Sequence, residues 1–277
     1  MEIALTRRSL LLAAAALSLF SGPVAADSLK LRIATEGAFA PWNATTADGK
    51  IVGFEVDLVH DLCRRMEAEC EVVAQDWDGI LPGLQQGRYD AVIAGVSITP
   101  ERERVVDFSA AYAADPAMFA VQHGSPLGGA FPVIARIDLA AGDGQPGVAA
   151  MAKALEGKTV AVQVNTIHER MVEALFPAAR VRAYEKLDYA ALDLAAGRVD
   201  ALLGNRSALE AIMKADGRVA VAGPTFSRGA LGAGVGVAVR KGNPLAARFT
   251  QAIASAGEDG TASRLSAQWF GYDVSVR

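Results

Sequence analysis

Downstream of its first thirty residues the chain alternates between two kinds of apolar run. LRIATEG (31–37) is a short apolar stretch breaking into glycine, which predicts a strand entering a loop. Over 53–68 (GFEVDLVHDLCRRMEA), Phe54, Leu58, Leu62 and Met66 recur at helical spacing, predicting an amphipathic helix. CEVVAQD (70–76) predicts a strand, 79–86 a short helix and 90–95 a third strand. The order recurs downstream: KTVAVQV (158–164) predicts a strand, and Met171, Leu175 and Phe176 mark the helix after it. A strand at 180–185, a helix at 189–196 and a strand at 200–204 follow. Strands alternating with helices predict a mostly parallel sheet in each half. Such sheets bind ligands beyond the carboxyl ends of their strands, so two facing sheets would aim those ends into one cleft.

The two halves also share residues. GRYDAVIAGVS (87–97) and GRVDALLGNRS (197–207) match at Gly, Arg, Asp, Ala and Ser, and each follows a helix-like segment. Related α/β units account for this better than coincidence does. The stretch 124–155, rich in Gly, Pro and Ala, has no counterpart in the first half and is expected to be a surface excursion on the second lobe.

The first 26 residues read differently. Arg7-Arg8 precedes an apolar run, Ser9–Phe20, and Val24-Ala25-Ala26 supplies small residues for cleavage. This is a signal peptide, cleaved near Ala26, and the run is too short to span a bilayer. The twin arginines leave Sec and twin-arginine export both open. Export suits the 2 cysteines: Cys63 and Cys70 are expected to form a disulfide, and they lack the C-x-x-C spacing of a redox pair.

Composition narrows the function. A net charge of −4 with 21% charged residues gives no basic stripe, which disfavours nucleic acid. The 3 histidines, His60, His123 and His168, form no metal or catalytic motif, and surface positions are expected for all of them. No cofactor and no metal are expected.

AGVSITPERERVVDFS (94–109) raises the question of chemistry. Thr99-Pro100-Glu101 has the form of a helix start, with a capping hydroxyl, proline at the first position and an acid in the first turn. Helix starts attract anions. Arg102 in that turn has the planar fork that grips a carboxylate at two points, Ser97 adds a hydroxyl and Gly95 admits close backbone approach. Read from the residues alone, Arg102 is as well explained by a solvated helix face, as Arg104 is. Glu36, Phe39 and Trp77 fall in loops after the first two strands. There an acid and two aromatics can hold a guanidinium, although a core tryptophan and a surface acid would fit equally.

TEGAFAPW (35–42), GFEVDLVHDLC (53–63), AQDWDGILPGL (74–84), GVSITPERERVVDFS (95–109), VAVQVNT (160–166), AGRVDALLGN (196–205) and EDGTASRLSAQWF (258–270) together resemble the periplasmic amino-acid-binding proteins of ABC importers. Within that family the chain is most similar to receptors for basic amino acids and for opines such as octopine and nopaline. The resemblance spans nearly all of 30–275. It implies an α/β, two-lobed periplasmic-binding-protein fold of type II with a two-crossing hinge. Lobe 1 would comprise 27–113 and 223–277, and lobe 2 would comprise 114–222, with crossings near 112–115 and 222–226. It implies a ligand set of Glu36, Phe39, Trp77, Ala94, Gly95, Ser97, Arg102, Thr166 and Asn205. In it Arg102 takes the α-carboxylate, Glu36 the cationic side chain, and Asn205 stands where basic amino-acid receptors carry an acid. Val164 replaces a glycine common in the family. The implied protein is a periplasmic monomer that delivers a cationic amino acid or an opine to an importer's membrane permease. A ligand sensor for a receptor kinase, or a cyclohexadienyl-dehydratase-like enzyme, are the alternatives on the same fold.

Overall fold

The computed structural model describes residues 28–276, so the expected signal peptide lies outside the described residues. The chain begins with β1 (Leu29–Thr35), then a small antiparallel ribbon of β2 (Ala38–Phe39), β3 (Asn43–Thr45) and β4 (Ile51–Val52). Helix α1 (Phe54–Arg65), β5 (Ala68–Ala74), α2 (Trp77–Gln85), β6 (Ala91–Val92) and β7 (Val106–Ala113) follow. The middle of the chain forms β8 (Ala117–Gln122), α3 (Pro126–Ala130), β9 (Arg136–Asp138), α4 (Gln145–Leu155), β10 (Thr159–Gln163) and α5 (Ile167–Leu175). It continues through β11 (Arg180–Tyr184), α6 (Leu187–Ala195), β12 (Ala201–Asn205), α7 (Arg206–Ala215) and β13 (Val219–Ser227). The last part returns as β14 (Val235–Arg240), α8 (Leu245–Glu258) and α9 (Thr261–Phe270).

Two sheets result, ordered β5-β1-β6-β14-β7 and β11-β10-β12-β8-β13-β9. The first three strands of each are parallel, and the remainder is mixed rather than mostly parallel: β14 and β7 run antiparallel in the first sheet, β8 and β13 in the second. The antiparallel strands are those beside the passages between sheets. There the chain reverses direction instead of crossing over through a helix. It passes to the second sheet over 114–116 and returns over 228–234. The stretch 222–226, expected as the return, lies inside β13.

The repeated motif has a structural job. Asp90 Oδ2 accepts the Arg32 N–H at 2.9 Å, and Asp200 Oδ2 accepts the Thr159 N–H at 2.7 Å, so each copy ties its strand to the neighbouring parallel strand. Gly87 and Gly197 both adopt positive φ, 74° and 70°, where the preceding helix ends. On α1 the residues of the predicted stripe are buried, Phe54 and Leu62 completely, against an edge-packed aromatic group of Trp42, Phe54 and Phe270.

The 124–155 stretch is more than a surface excursion. It supplies β9 to the edge of the second sheet, and α4, whose Val148, Met151 and Leu155 are buried beneath it. Its Gly, Pro and Ala content hid a helix with a narrow apolar face. The Thr99-Pro100-Glu101 helix start also differs from expectation: it opens only a single 3-10 turn, Arg102–Arg104, before β7 begins. The β-branched Val105 and Val106 favour strand over a continued helix.

Cys63 and Cys70 form a disulfide with S–S of 2.00 Å, joining the last turn of α1 to β5. The closed loop is short, so reduction is expected to cost only about 2 kcal/mol and to leave ligand affinity unchanged. Thermal melts with and without reductant, followed by calorimetry on the reduced protein, check both.

Candidate functional site

The carboxyl ends of β1 and β10 face one another between the sheets. Ile33 and Val160 pair with Ala91 and Ala201, which are equivalent residues of the two motif copies. Three positions on, Glu36 and Gln163 therefore occupy equivalent places in the two lobes. They meet: Gln163 Nε2 donates to Glu36 Oε1 at 2.7 Å. Around this bond lies a cavity lined by residues of both lobes. From the first lobe Glu36, Phe39, Trp77, Ala94, Gly95, Ser97 and Arg102 line it. From the second come Gln163, Thr166, Ile167, His168, Leu187, Gly204 and Asn205. All nine residues of the expected ligand set thus border one space.

The lobes are closed over it. Asn165 donates to Asp78, Arg170 pairs with Glu101, and Lys186 Nζ lies 3.5 Å from Asp76 across the mouth. Behind the cavity Trp42 Nε1 donates to Ser207 Oγ at 2.7 Å, and Ser207 Oγ donates to Asp115 Oδ2 at 2.5 Å. Asp115 belongs to the passage between sheets. Desolvation pushes its carboxyl up to about 7.

The cavity lining holds one arginine and one glutamate, Arg102 and Glu36, and neither forms a salt bridge among the described residues. The Arg102 guanidinium, 5% exposed, donates to the Ser97 carbonyl at 3.0 Å and lies 5.2 Å from the centre of the Trp77 ring. Burial lowers its pKa to about 10, with the Arg170 charge adding to the shift. It remains a cation at neutral pH. The Glu36 carboxylate, 6% exposed, has the Gln163 amide as its hydrogen-bond donor, and burial raises its pKa to about 7. A buried charge without a counter-charge is costly. Placed at separate points of one cavity, these two groups offer one site for an anionic group and another for a hydrogen-bond donor or cation.

Local structure explains how each is held. Thr99 Oγ1 accepts the Arg102 N–H at 3.3 Å, fixing the 3-10 turn that carries the guanidinium inward. Gly95 takes φ +60°, and a Cβ there would lie 3.1 Å from Phe39 Cε1. Its N–H donates to Glu55 Oε1 at 2.6 Å. The fully buried Glu55 also accepts from Tyr112 Oη and from Asn43 Nδ2 at 2.6 Å, while Asn43 Oδ1 takes the Gly37 N–H at 2.7 Å. One buried carboxylate thereby anchors the loop after β6 and, through Asn43, the loop after β1.

Several placements differ from the sequence expectations. The Arg102 guanidinium lies over the Trp77 ring, and Phe39 stacks on Trp42 with centroids 6.2 Å apart. Thr166 spends its hydroxyl on structure: it donates to the Gln163 carbonyl at 2.7 Å and caps α5 by accepting the Glu169 N–H at 3.3 Å. Asn205 ends β12 at the start of α7 without a side-chain capping bond. The left-handed residue of the VQVNT loop is Asn165, φ 57°, so valine at 164 is unstrained. His60 and His123 are exposed as expected, but His168 is 7% exposed and lines the cavity. Sequence reading also passed over Gln163, although a glutamine closing an apolar strand in the VAVQV run was its signal.

The comparison with known sequences decides the family. Residues 31–272 match the family model of bacterial extracellular solute-binding proteins, family 3. The chain belongs to that family. This family 3 protein is 34% identical to an octopine-binding periplasmic protein of Rhizobium meliloti, over 94% of this chain and 97% of that one. It is also 34% identical to an L-arginine-binding protein of Pseudomonas aeruginosa, over 95% and 96% of the two chains. A solved periplasmic binding protein of Salmonella typhimurium, described as highly specific for arginine, superposes with a TM-score of 0.74. It is 28% identical, over 88% of this chain and 100% of that one. The two-lobed type II fold of this family 3 protein is the one those structures share.

Proposed function

We propose that the protein is a periplasmic receptor, not an enzyme, for an amino acid with a cationic side chain or an opine derived from one. In this reading it hands its ligand to the membrane permease of an ABC importer. The observation that carries it is a buried arginine and a buried glutamate, neither in a salt bridge among the described residues, at separate points of one cavity. Arg102 takes the ligand's α-carboxylate in two-point contact, and Ser97 and the Gly95 backbone lie beside it. Glu36 takes the cationic end. Asn205, rather than an acid, meets the α-nitrogen. The names of the octopine- and arginine-binding relatives agree with this ligand class.

A thermal-shift screen tests it. Arginine, ornithine, lysine, histidine, octopine and nopaline are compared with glutamate and leucine on the protein lacking residues 1–26. A true ligand at a hundredfold excess over its Kd is expected to add about 2.7 kcal/mol to stability. Stabilisation by glutamate or leucine equal to that by every cationic compound would reject the reading, as would none by any cationic compound.

A further inference from the structure

His168 is a polar cavity residue that the proposed contacts leave unused. His168 is the second residue of α5, and its side chain is buried. Its Nε2 is inaccessible to solvent and has no hydrogen-bond partner. Buried polar atoms without partners are rare in folded proteins and mark places where a bound molecule or an ion completes the set. Burial, reinforced by the Arg102 charge, lowers the imidazole pKa to about 4, so the ring is neutral at neutral pH. A neutral imidazole offers one N–H and no charge.

The surroundings of His168 favour an anion. It lies in the first turn of a helix whose start, Ile167 and His168, borders the cavity, and the leading N–H groups of a helix have no acceptor within it. Arg102 is close enough to depress its pKa. The cavity's charges point the same way. Among its fourteen lining residues Glu36 brings a carboxyl and Arg102 a guanidinium, and once Glu36 is deprotonated their charges offset each other. Free arginine carries one carboxylate and two cations, so its α-ammonium would find only the neutral Asn205. A ligand whose α-nitrogen bears a second carboxylate arm has no net charge and brings its own counter-charge to that ammonium.

We propose that His168 is a specificity-determining residue: its Nε2–H bonds a second carboxylate arm carried on the ligand's α-nitrogen, while Arg102 holds the α-carboxylate. This rests on the proposed function, and selects within it the N-carboxyalkyl derivatives of a cationic amino acid over the free amino acid. Free arginine leaves His168 Nε2 unpartnered. A carboxylate arm satisfies it, and places two anionic groups against the cationic side of the cavity formed by Arg102 and the start of α5.

Calorimetry on wild type, His168→Ala and His168→Gln, with octopine and with arginine as probes, tests the assignment. Wild type is expected to bind octopine more tightly than arginine. His168→Ala is expected to lose roughly tenfold or more in octopine affinity while arginine affinity moves by less than about threefold. His168→Gln, which keeps a donor, is expected to recover part of the octopine loss. Melting curves of the unliganded variants serve as the folding control for both. Equal losses for the two probes, a loss confined to arginine, or no loss in either would overturn the role given to His168. A wild type that binds arginine but not octopine would overturn it too, leaving the proposed function standing. A wild type that binds neither would overturn it as well, and the proposed function would then rest on the remaining cationic compounds of the screen.

Discussion

Replacing Arg102 with alanine is expected to abolish tight binding while leaving the unliganded protein as stable as wild type or more stable. The two halves of this result have one cause. Without ligand, Arg102 is a buried cation whose hydrogen-bond acceptor is the Ser97 carbonyl and whose other close partner is the Trp77 ring. Removing it relieves a desolvated charge and leaves behind one carbonyl and one aromatic face. With ligand bound, the same charge is the carboxylate's partner, and truncation strands that carboxylate in a closed cavity. Losses of about 2–5 kcal/mol are typical when one member of a buried charge pair is deleted. Arg102→Lys keeps the charge but not the planar fork, and is expected to recover binding only in part. Melting curves read the first half and titration calorimetry the second. Affinity within threefold of wild type in Arg102→Ala would remove the guanidinium from the account.

Arginine affinity is expected to rise with pH up to about 7 and then level off, and Glu36→Gln is expected to abolish that rise. Burial raises the Glu36 carboxyl to about 7 in the closed, unliganded cavity. A ligand cation favours the carboxylate, so binding below pH 7 must expel a proton. The affinity then falls by up to about tenfold for each pH unit below that value. The stability of the unliganded protein runs the opposite way. A carboxyl whose folded pKa is raised stabilises the fold at low pH, and that contribution is lost as pH rises from its ordinary value through about 7. Asp115, also pushed up to about 7 by burial, lies outside the cavity lining and adds to the same fall. At pH 8 the Glu36→Gln variant is expected to bind arginine about ten- to a hundredfold more weakly, the worth of a charge-assisted hydrogen bond. Calorimetry from pH 5 to pH 8 on both proteins gives the profile. A flat wild-type curve would place the cation elsewhere.

Much of this architecture could be read from periodicity. The α1 stripe of Phe54, Leu58, Leu62 and Met66 lies in the core, and the duplicated Gly-Arg-x-Asp marks the same strand-tying bond in both lobes. The parts that could not be read depend on contacts between segments far apart in the chain. Glu55 sits between Phe54 and Val56 in a helix with other acids nearby, and nothing local says that it is fully buried under Tyr112 and Asn43. His168 follows a helix cap, where side chains usually reach solvent. Yet it is buried and lines the cavity between the lobes. Gln163 and Glu36 are 127 residues apart, and only the pairing of equivalent strands brings them together. The β9–α4 region was obscured for the opposite reason. Its composition signals a loop, yet Ile137, Val148, Met151 and Leu155 suffice to fasten it to the sheet.

The central claim is that a positive charge at the far end of the ligand is recognised by Glu36 while its carboxylate is held by Arg102. Arginine and citrulline share a carboxylate, an ammonium, a chain length and nearly a shape, and differ in the charge at that far end. Titration of wild-type protein with both at pH 8 isolates the charge. Arginine is expected to bind at least about tenfold more tightly, since a charged donor to a buried carboxylate is worth about 1.5–3 kcal/mol and a neutral one less. Equal affinities for the two would contradict the account.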